Sequence, residues 1–157
     1  SAAGIMKHIR EFTLFTNSTV NSYSRLGEFT APRDILWASD EGSQLIRMDP
    51  DSNDAPVELR AADCACNPYY VFGLMIYASL EGISEKSELP AEKESIGRLP
   101  STLDEAISCT ESSEFIKRYI PENILEAIIS HSSREWKDFS TAYDREAFED
   151  EKYFYSL

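Results

Sequence analysis

The stretch "PVELRAADCACNPYYVFG", residues 56–73, changes periodicity part-way along. Alternation through Val57, Glu58, Leu59 and Arg60 is that of a strand, with Glu58 and Arg60 on one face and Val57 and Leu59 on the other. The chain then turns, and Asn67 followed by Pro68 reads as the cap and first position of a helix, where the missing proline N–H costs nothing. Through Ile83 that helix is apolar on nearly every side, with Val71, Phe72, Leu74, Met75, Ile76 and Leu80. This pattern predicts a helix that lies against the sheet and is buried on more than one side. A strand that carries a charged pair straight into such a helix is a candidate for a site rather than for a solvated surface.

Upstream, "RDILWAS" alternates through Ile35 and Trp37, "DEG" turns and "QLIRMD" returns, so a strand, turn and strand precede the third strand "VELRA". Arg47 interrupts the apolar pattern between Ile46 and Met48. Nearer the start, Ile5, Ile9 and Phe12 have helical spacing, and the polar "TNSTVNSYSR" that follows reads as a loop. Downstream, residues 84–100 read as a charged linker with Pro90 and Pro100. "STLDEAI" offers a capping box from Thr102 to Glu105 or from Ser101 to Asp104. A short helix is predicted over 113–119, a longer one from Pro121, and an acidic segment from Asp144 toward Tyr153. The class is α+β: a strand-rich part over 1–83, the linker 84–100, and a helical bundle over 101–157.

A chain of 157 residues suffices for one domain, and 42% apolar with 27% charged residues is the balance of a folded protein. The net charge of -13 argues against nucleic acid as a partner, though a local arginine cluster would still bind a small anion. From residue 104 onward there are 13 acidic and 6 basic residues, read as a solvated face. No apolar run is long enough to cross a bilayer. Three cysteines, an odd number, suggest a reduced cytoplasmic setting, with Cys64, Cys66 and Cys109 as small buried packing residues. No serine-hydrolase elbow, HExxH or Walker loop occurs.

Glu58 is the leading candidate for a ligand to a hard cation such as magnesium, although most strand glutamates are simply paired or solvated. Arg60 points the same way, and its planar fork suits a substrate carboxylate. Arg47 is placed to meet a phosphate from the neighbouring strand, and Arg25, after the polar loop, to reach a carboxylate. Singly, each arginine is ordinary. Together with a cation ligand they are the minimum needed to move a phosphoryl group onto a carboxylate. His8 and His131 are assigned no chemistry.

"TNSTVNSYSRL", "APRDILWAS", "LIRM" and "VELRAADCACNPYYVFGLMIYASLEGI" resemble, in order, consecutive blocks from the C-terminal part of the catalytic domain of bacterial-type glutamine synthetases. The likeness is close over about residues 4–84 and looser through "LPSTLDEAI" and the Trp136 helix. It implies an ATP-dependent glutamate–ammonia ligase of nitrogen metabolism, acting through γ-glutamyl phosphate with Mg2+ or Mn2+. On the same basis Glu58 matches a metal ligand, Arg25 and Arg60 match arginines that hold glutamate, and Arg47 matches one on a nucleotide phosphate. The family forms ring homo-oligomers. The chain resembles only part of the catalytic domain and is expected to be inactive and metal-free alone, with exposed strand edges that favour a dimer.

The sequence departs from the family pattern in one turn. Where the family commonly reads Ser-Arg-Asn-Arg-Ser, this chain reads "SDEGS", with Asp40 and Gly42 at the arginine positions. Losing one such donor costs on the order of 100- to 1000-fold in rate if nothing compensates, and Asp40 and Glu41 add charge of the wrong sign. A ligase for glutamate and a larger amine such as a polyamine, and a degenerate structural or interaction homologue, both stay open. No tyrosine lies between Tyr77 and Tyr119, so control through a modified tyrosine there is not supported.

Overall fold

The computed structural model describes residues 1–40, 42–49, 51 and 56–154. Helices α1 (Ala2–His8) and α2 (Thr13–Thr16) lead into a 3-10 turn at Val20–Tyr23, then three two-residue strands: β1 (Trp37–Ala38), β2 (Ile46–Arg47) and β3 (Glu58–Leu59). Five helices follow: α3 (Pro68–Ser84), α4 (Leu103–Glu111), α5 (Glu114–Tyr119), α6 (Glu122–Thr141) and α7 (Arg145–Tyr153). The α+β class expected from the sequence is what the chain adopts. Helical spacing over residues 5–15 resolves into two helices with a break at Ile9–Phe12, and the polar loop contains the 3-10 turn.

The sheet order is β1-β2-β3. β2 and β3 pair antiparallel, but β1 and β2 pair parallel, Trp37 opposite Ile46 and Ala38 opposite Arg47. The expectation of a simple strand-turn-strand return is therefore corrected. The amides of Leu45 and Ile46 both donate to the Leu36 carbonyl and Met48 donates to Ala38, so the chain between β1 and β2 loops back and re-enters in the same direction.

Helix α3 begins as its sequence requires, with the Asn67 side chain accepting from the Tyr69 amide at 3.0 Å and Pro68 in the first turn. Its packing is less complete than predicted. Val71, Leu74, Ala78 and Gly82 are buried, whereas Phe72 is 64% exposed and Ile76 58%, and Tyr69, Leu80 and Ile83 are exposed too. Among the described residues only one face is covered, chiefly by α1. There the backbones nearly touch: a Cβ on Gly4 would sit 2.0 Å from the Ala78 carbonyl oxygen, and one on Gly82 would sit 2.6 Å from the Gly4 Cα.

Around this crossing the main core gathers Met6, Ile9, Phe12, Leu14, Leu45, Ile46, Leu74, Leu103 and Ile116. His8 is buried beside it, stacked on Phe115 with ring centroids 4.2 Å apart. Its Nδ1 lies 2.8 Å from Glu11 and its Nε2 3.3 Å from Glu81. Burial pushes the Glu11 carboxyl up, but hydrogen bonds from His8 and Ser113 outweigh it and hold Glu11 below its usual range. Thr102 caps α4 by accepting from the Glu105 amide, while Glu105 reaches back to the Ser101 amide, one residue before the cap. Cys64 is exposed and Cys66 and Cys109 half-buried, so the expected burial of the cysteines is not found; the first two lie in the turn before α3.

Gly82→Ala is expected to destabilise the fold by about 2–3 kcal/mol, because backbone rather than a movable side chain meets the new methyl. Gly73→Ala, in the same helix with nothing near its Cβ, should be neutral or stabilising by about 0.5–1 kcal/mol. Urea denaturation of the two variants checks this, and equal effects would contradict the tight crossing.

Candidate active site

The β2–β3 ladder sets Arg47 directly opposite Glu58, and two-residue periodicity brings Arg60 to the same face. The Glu58 carboxylate lies between the two, 3.7 Å from Arg47 Nη1 and 3.6 Å from Arg60 Nε. Arg60 is largely buried and also donates to the Gly42 carbonyl, while the Arg47 and Glu58 side chains are about half exposed. Exposed pairs of this kind contribute only about 0.2–1 kcal/mol, so Arg47 and Glu58 can exchange partners readily. They line a cleft of about 400 Å3 with Ser39, Met48, Asp49 and Pro56.

Arg25 reaches the chain just beyond β3 from the polar loop. Its Nη2 donates to the Ala61 carbonyl at 2.6 Å and to Asn17 Oδ1 at 3.1 Å, and its Nε is buried without a hydrogen-bond partner among the described residues. Thus Arg47, Glu58 and Arg60 come together, and Arg25 is tied to the carbonyl one residue beyond Arg60. On the opposite face Val57 and Leu59 pack against the main core and share the lining of a cavity of about 240 Å3 with Val71, Phe72 and Met75 of α3. Core packing of Val57 and Leu59 on one face thus orients the charged residues on the other.

The segment expected to be a linker meets the cleft lining at Ser39, through Glu92. Residues 90–99 run along residues 33–40: the Lys93 amide donates to Trp37, Ile96 to Ile35 and Leu99 to Arg33, while Trp37 Nε1 donates to the Pro90 carbonyl. Glu92 accepts from both the amide and the hydroxyl of Ser39, at 2.8 and 2.6 Å, and these bonds hold its carboxyl below the usual range. Lys93 Nζ donates to Asp40 at 2.8 Å. That contact lowers the Asp40 carboxyl and raises the Lys93 ammonium. Asp40 is therefore paired with Lys93 at the surface, and the Gly42 backbone is engaged by Arg60. Glu41 lies outside the described residues.

The donor set does not make a cation site by itself. Among the described residues no three His, Cys, Asp or Glu side chains form a metal-binding group. Glu58 supplies one carboxylate, already flanked by two guanidinium groups, where a magnesium ion takes about six oxygens. What the arrangement does offer is a two-arginine grip for a phosphate or carboxylate, with a weakly held carboxylate between the arginines.

A family model described as "Glutamine synthetase, catalytic domain" matches residues 1–151. The chain belongs to this family. It is 38% identical to a glutamine synthetase of Methanosarcina mazei, over 87% of this chain and 34% of that protein. It is 35% identical to one of Staphylococcus aureus, over 88% and 35%. A solved chain described as a GmaS/ADP complex superposes with a TM-score of 0.78 at 23% identity, over 97% of this chain and 38% of that one. The chain thus spans about a third of the length of the curated glutamine synthetases it matches. No helix among the described residues is long and apolar enough to cross a membrane.

The sequence puts Glu58 and Arg60 on one face and names Arg47 as a candidate from the neighbouring strand, but does not single out Glu92 and Lys93, which bond Ser39 and Asp40 from 53 residues away. The one available signal was the charge run within 84–100, which gives no direction. Asp40 is expected to titrate below the usual value near 3.9 in a carboxyl-detected NMR titration, and Lys93→Ala should return it there. Since the folded carboxyl is the depressed one, the contact is fully present above the ordinary range and is lost as pH falls through the lowered value. An Asp40 titration indifferent to Lys93→Ala would contradict this pairing.

Proposed function

We propose that this chain forms part of the active site of an ATP-dependent glutamate–ammonia ligase. The observation that carries the reading is the Glu58 carboxylate set between Arg47 of β2 and Arg60 just after β3, beside a cleft that Arg47 and Glu58 line. Arg60 and Arg25 hold the carboxylates of glutamate, and Arg47 neutralises a nucleotide phosphate. An oxygen of the γ-carboxylate attacks the terminal phosphorus of ATP and the bond to ADP breaks. Ammonia then attacks the acyl carbon of γ-glutamyl phosphate, inorganic phosphate leaves, and the amine proton is released. Positioning and charge neutralisation by arginines suffice as the contribution of these residues, since they hold the reacting groups together and oppose the developing negative charge.

Glu58 would contribute one carboxylate to a Mg2+ or Mn2+ shell, too little to hold the ion alone. The remaining donors, the ring homo-oligomer and a cytoplasmic setting belong to the intact protein under this proposal, and the chain alone is inactive. A second reading, a degenerate homologue with a structural role, is favoured by Asp40 and Gly42 at positions where the family carries arginine. Lys93 on Asp40 weighs against it, because it offsets part of the charge that Asp40 would turn toward an anion.

The test is phosphate release by the intact ligase containing this chain, with ATP, Mg2+ and glutamate, with and without ammonia. Ammonia-dependent turnover is expected, with Arg60→Ala lowering kcat/KM on the order of 100-fold and Arg60→Lys recovering only part, since it keeps the charge but not the fork. A folded protein without turnover would move the assignment to the degenerate homologue.

A further inference from the structure

The acidic C-terminal helices reach the polar loop through one buried side chain. Glu135 of α6 is 4% exposed and lies 115 residues from its backbone partner. Its Oε1 accepts from the Val20 amide at 2.9 Å, the first N–H of the 3-10 turn, and from the Tyr153 hydroxyl of α7. Its Oε2 lies 3.3 Å from Lys152 Nζ. A buried carboxylate is tolerated only when paired and hydrogen-bonded, and this one meets the condition by joining α6, the end of α7 and the loop. Helix α7 is held on α6 by the ring contact of Phe148 with Phe139, and Lys152 sits 5.2 Å over Phe148.

From Val20 the contacts continue to Arg25. The turn is closed by the Thr19 and Ser22 hydroxyls. Tyr23, at its end, donates its hydroxyl to the Asn17 carbonyl at 2.8 Å, and burial raises that phenol far above its usual range. The Asn17 side-chain oxygen then accepts from Arg25. Every member is buried or half-buried, so water is a poor substitute for any of these bonds.

We propose that Glu135 is a positioning residue for Arg25: it clips the loop 17–25 to the C-terminal helices and so fixes the guanidinium beside Ala61, with the Tyr153 hydroxyl as the latch. The substrate that this positioning serves is the glutamate carboxylate, which rests on the ligase reading. The clip itself does not rest on it.

Two measurements test this. In amide hydrogen exchange on this chain, Glu135→Ala should speed exchange at Val20 on the order of 10- to 100-fold relative to the core amide of Leu45. The Arg25 Nε–H signal should lose its single ordered position. Tyr153→Phe, which removes one hydroxyl and leaves the core intact, should do the same at Val20 by roughly 3- to 10-fold. Unchanged Val20 protection, or loss in equal measure at Leu45, overturns the proposal.

In the intact ligase, Glu135→Ala should raise KM for glutamate about 10-fold while KM for ATP stays within about twofold. Glu135→Gln, still an acceptor for Val20 and Tyr153, should recover most of the loss. A fall in kcat alone, or equal rises in both KM values, overturns it. An inactive wild type defeats the ligase reading only, because release of Val20 and Arg25 is read without turnover.

Discussion

Helices α1 and α3 cross at backbone contact, which glycine at positions 4 and 82 alone permits. Much else is measured from that crossing. It seats His8 between Glu11 and Glu81, and Glu81 in turn accepts from Arg118 at 2.6 Å and from the Tyr119 hydroxyl at 2.8 Å, so the same point ties in α5. The core built around it also takes up Val57 and Leu59. With strands only two residues long, ladder hydrogen bonding is too short to hold Glu58 and Arg60 in place. Their direction is inherited from the packing of the opposite face.

That division explains how a site can be positioned by a sheet this small. Arg47 and Glu58 meet as a cross-strand pair, the arrangement in which side chains on one face of a ladder interact most directly. Arg60 is held more firmly, because its guanidinium also engages the Gly42 backbone. The site therefore combines one fixed cation with one exchangeable ion pair. A grip for a charged substrate has this form when the rigid partner sets the orientation and the loose pair opens on arrival.

The α+β class, the capped start of α3 and the shared face of Glu58 and Arg60 were legible in the sequence because each rests on spacing within a few residues. Placing Arg47 opposite Glu58 needed the β2–β3 register, which spacing along one strand does not carry. The parallel pairing of β1 with β2 was not legible: "DEG" is a turn signal, and a turn signal cannot say whether the chain returns or loops back. The burial of α3 was overestimated because periodicity reports which residues want cover and not what supplies it. Glu92, Lys93 and Glu135 were hidden for a third reason. Each acts through a partner 53 to 115 residues away, and one acidic or basic side chain in a charged run looks like any other.

A net charge of -13 poses a last physical question for a site that grips anions. The excess is concentrated after residue 104, where most acidic side chains of α6 and α7 face solvent. At physiological ionic strength exposed charges are screened within about 8 Å, so helices beyond that range contribute little field at the cleft. Glu135, the buried exception, is compensated by Lys152 and two hydrogen bonds. Nearer the site, Asp40 is matched by Lys93, and Glu58 by two arginines. Under the proposed function, the charge that a substrate anion meets beside Arg47 and Arg60 is set by local pairing, with Asp49 the further carboxylate in the cleft lining, rather than by the overall charge.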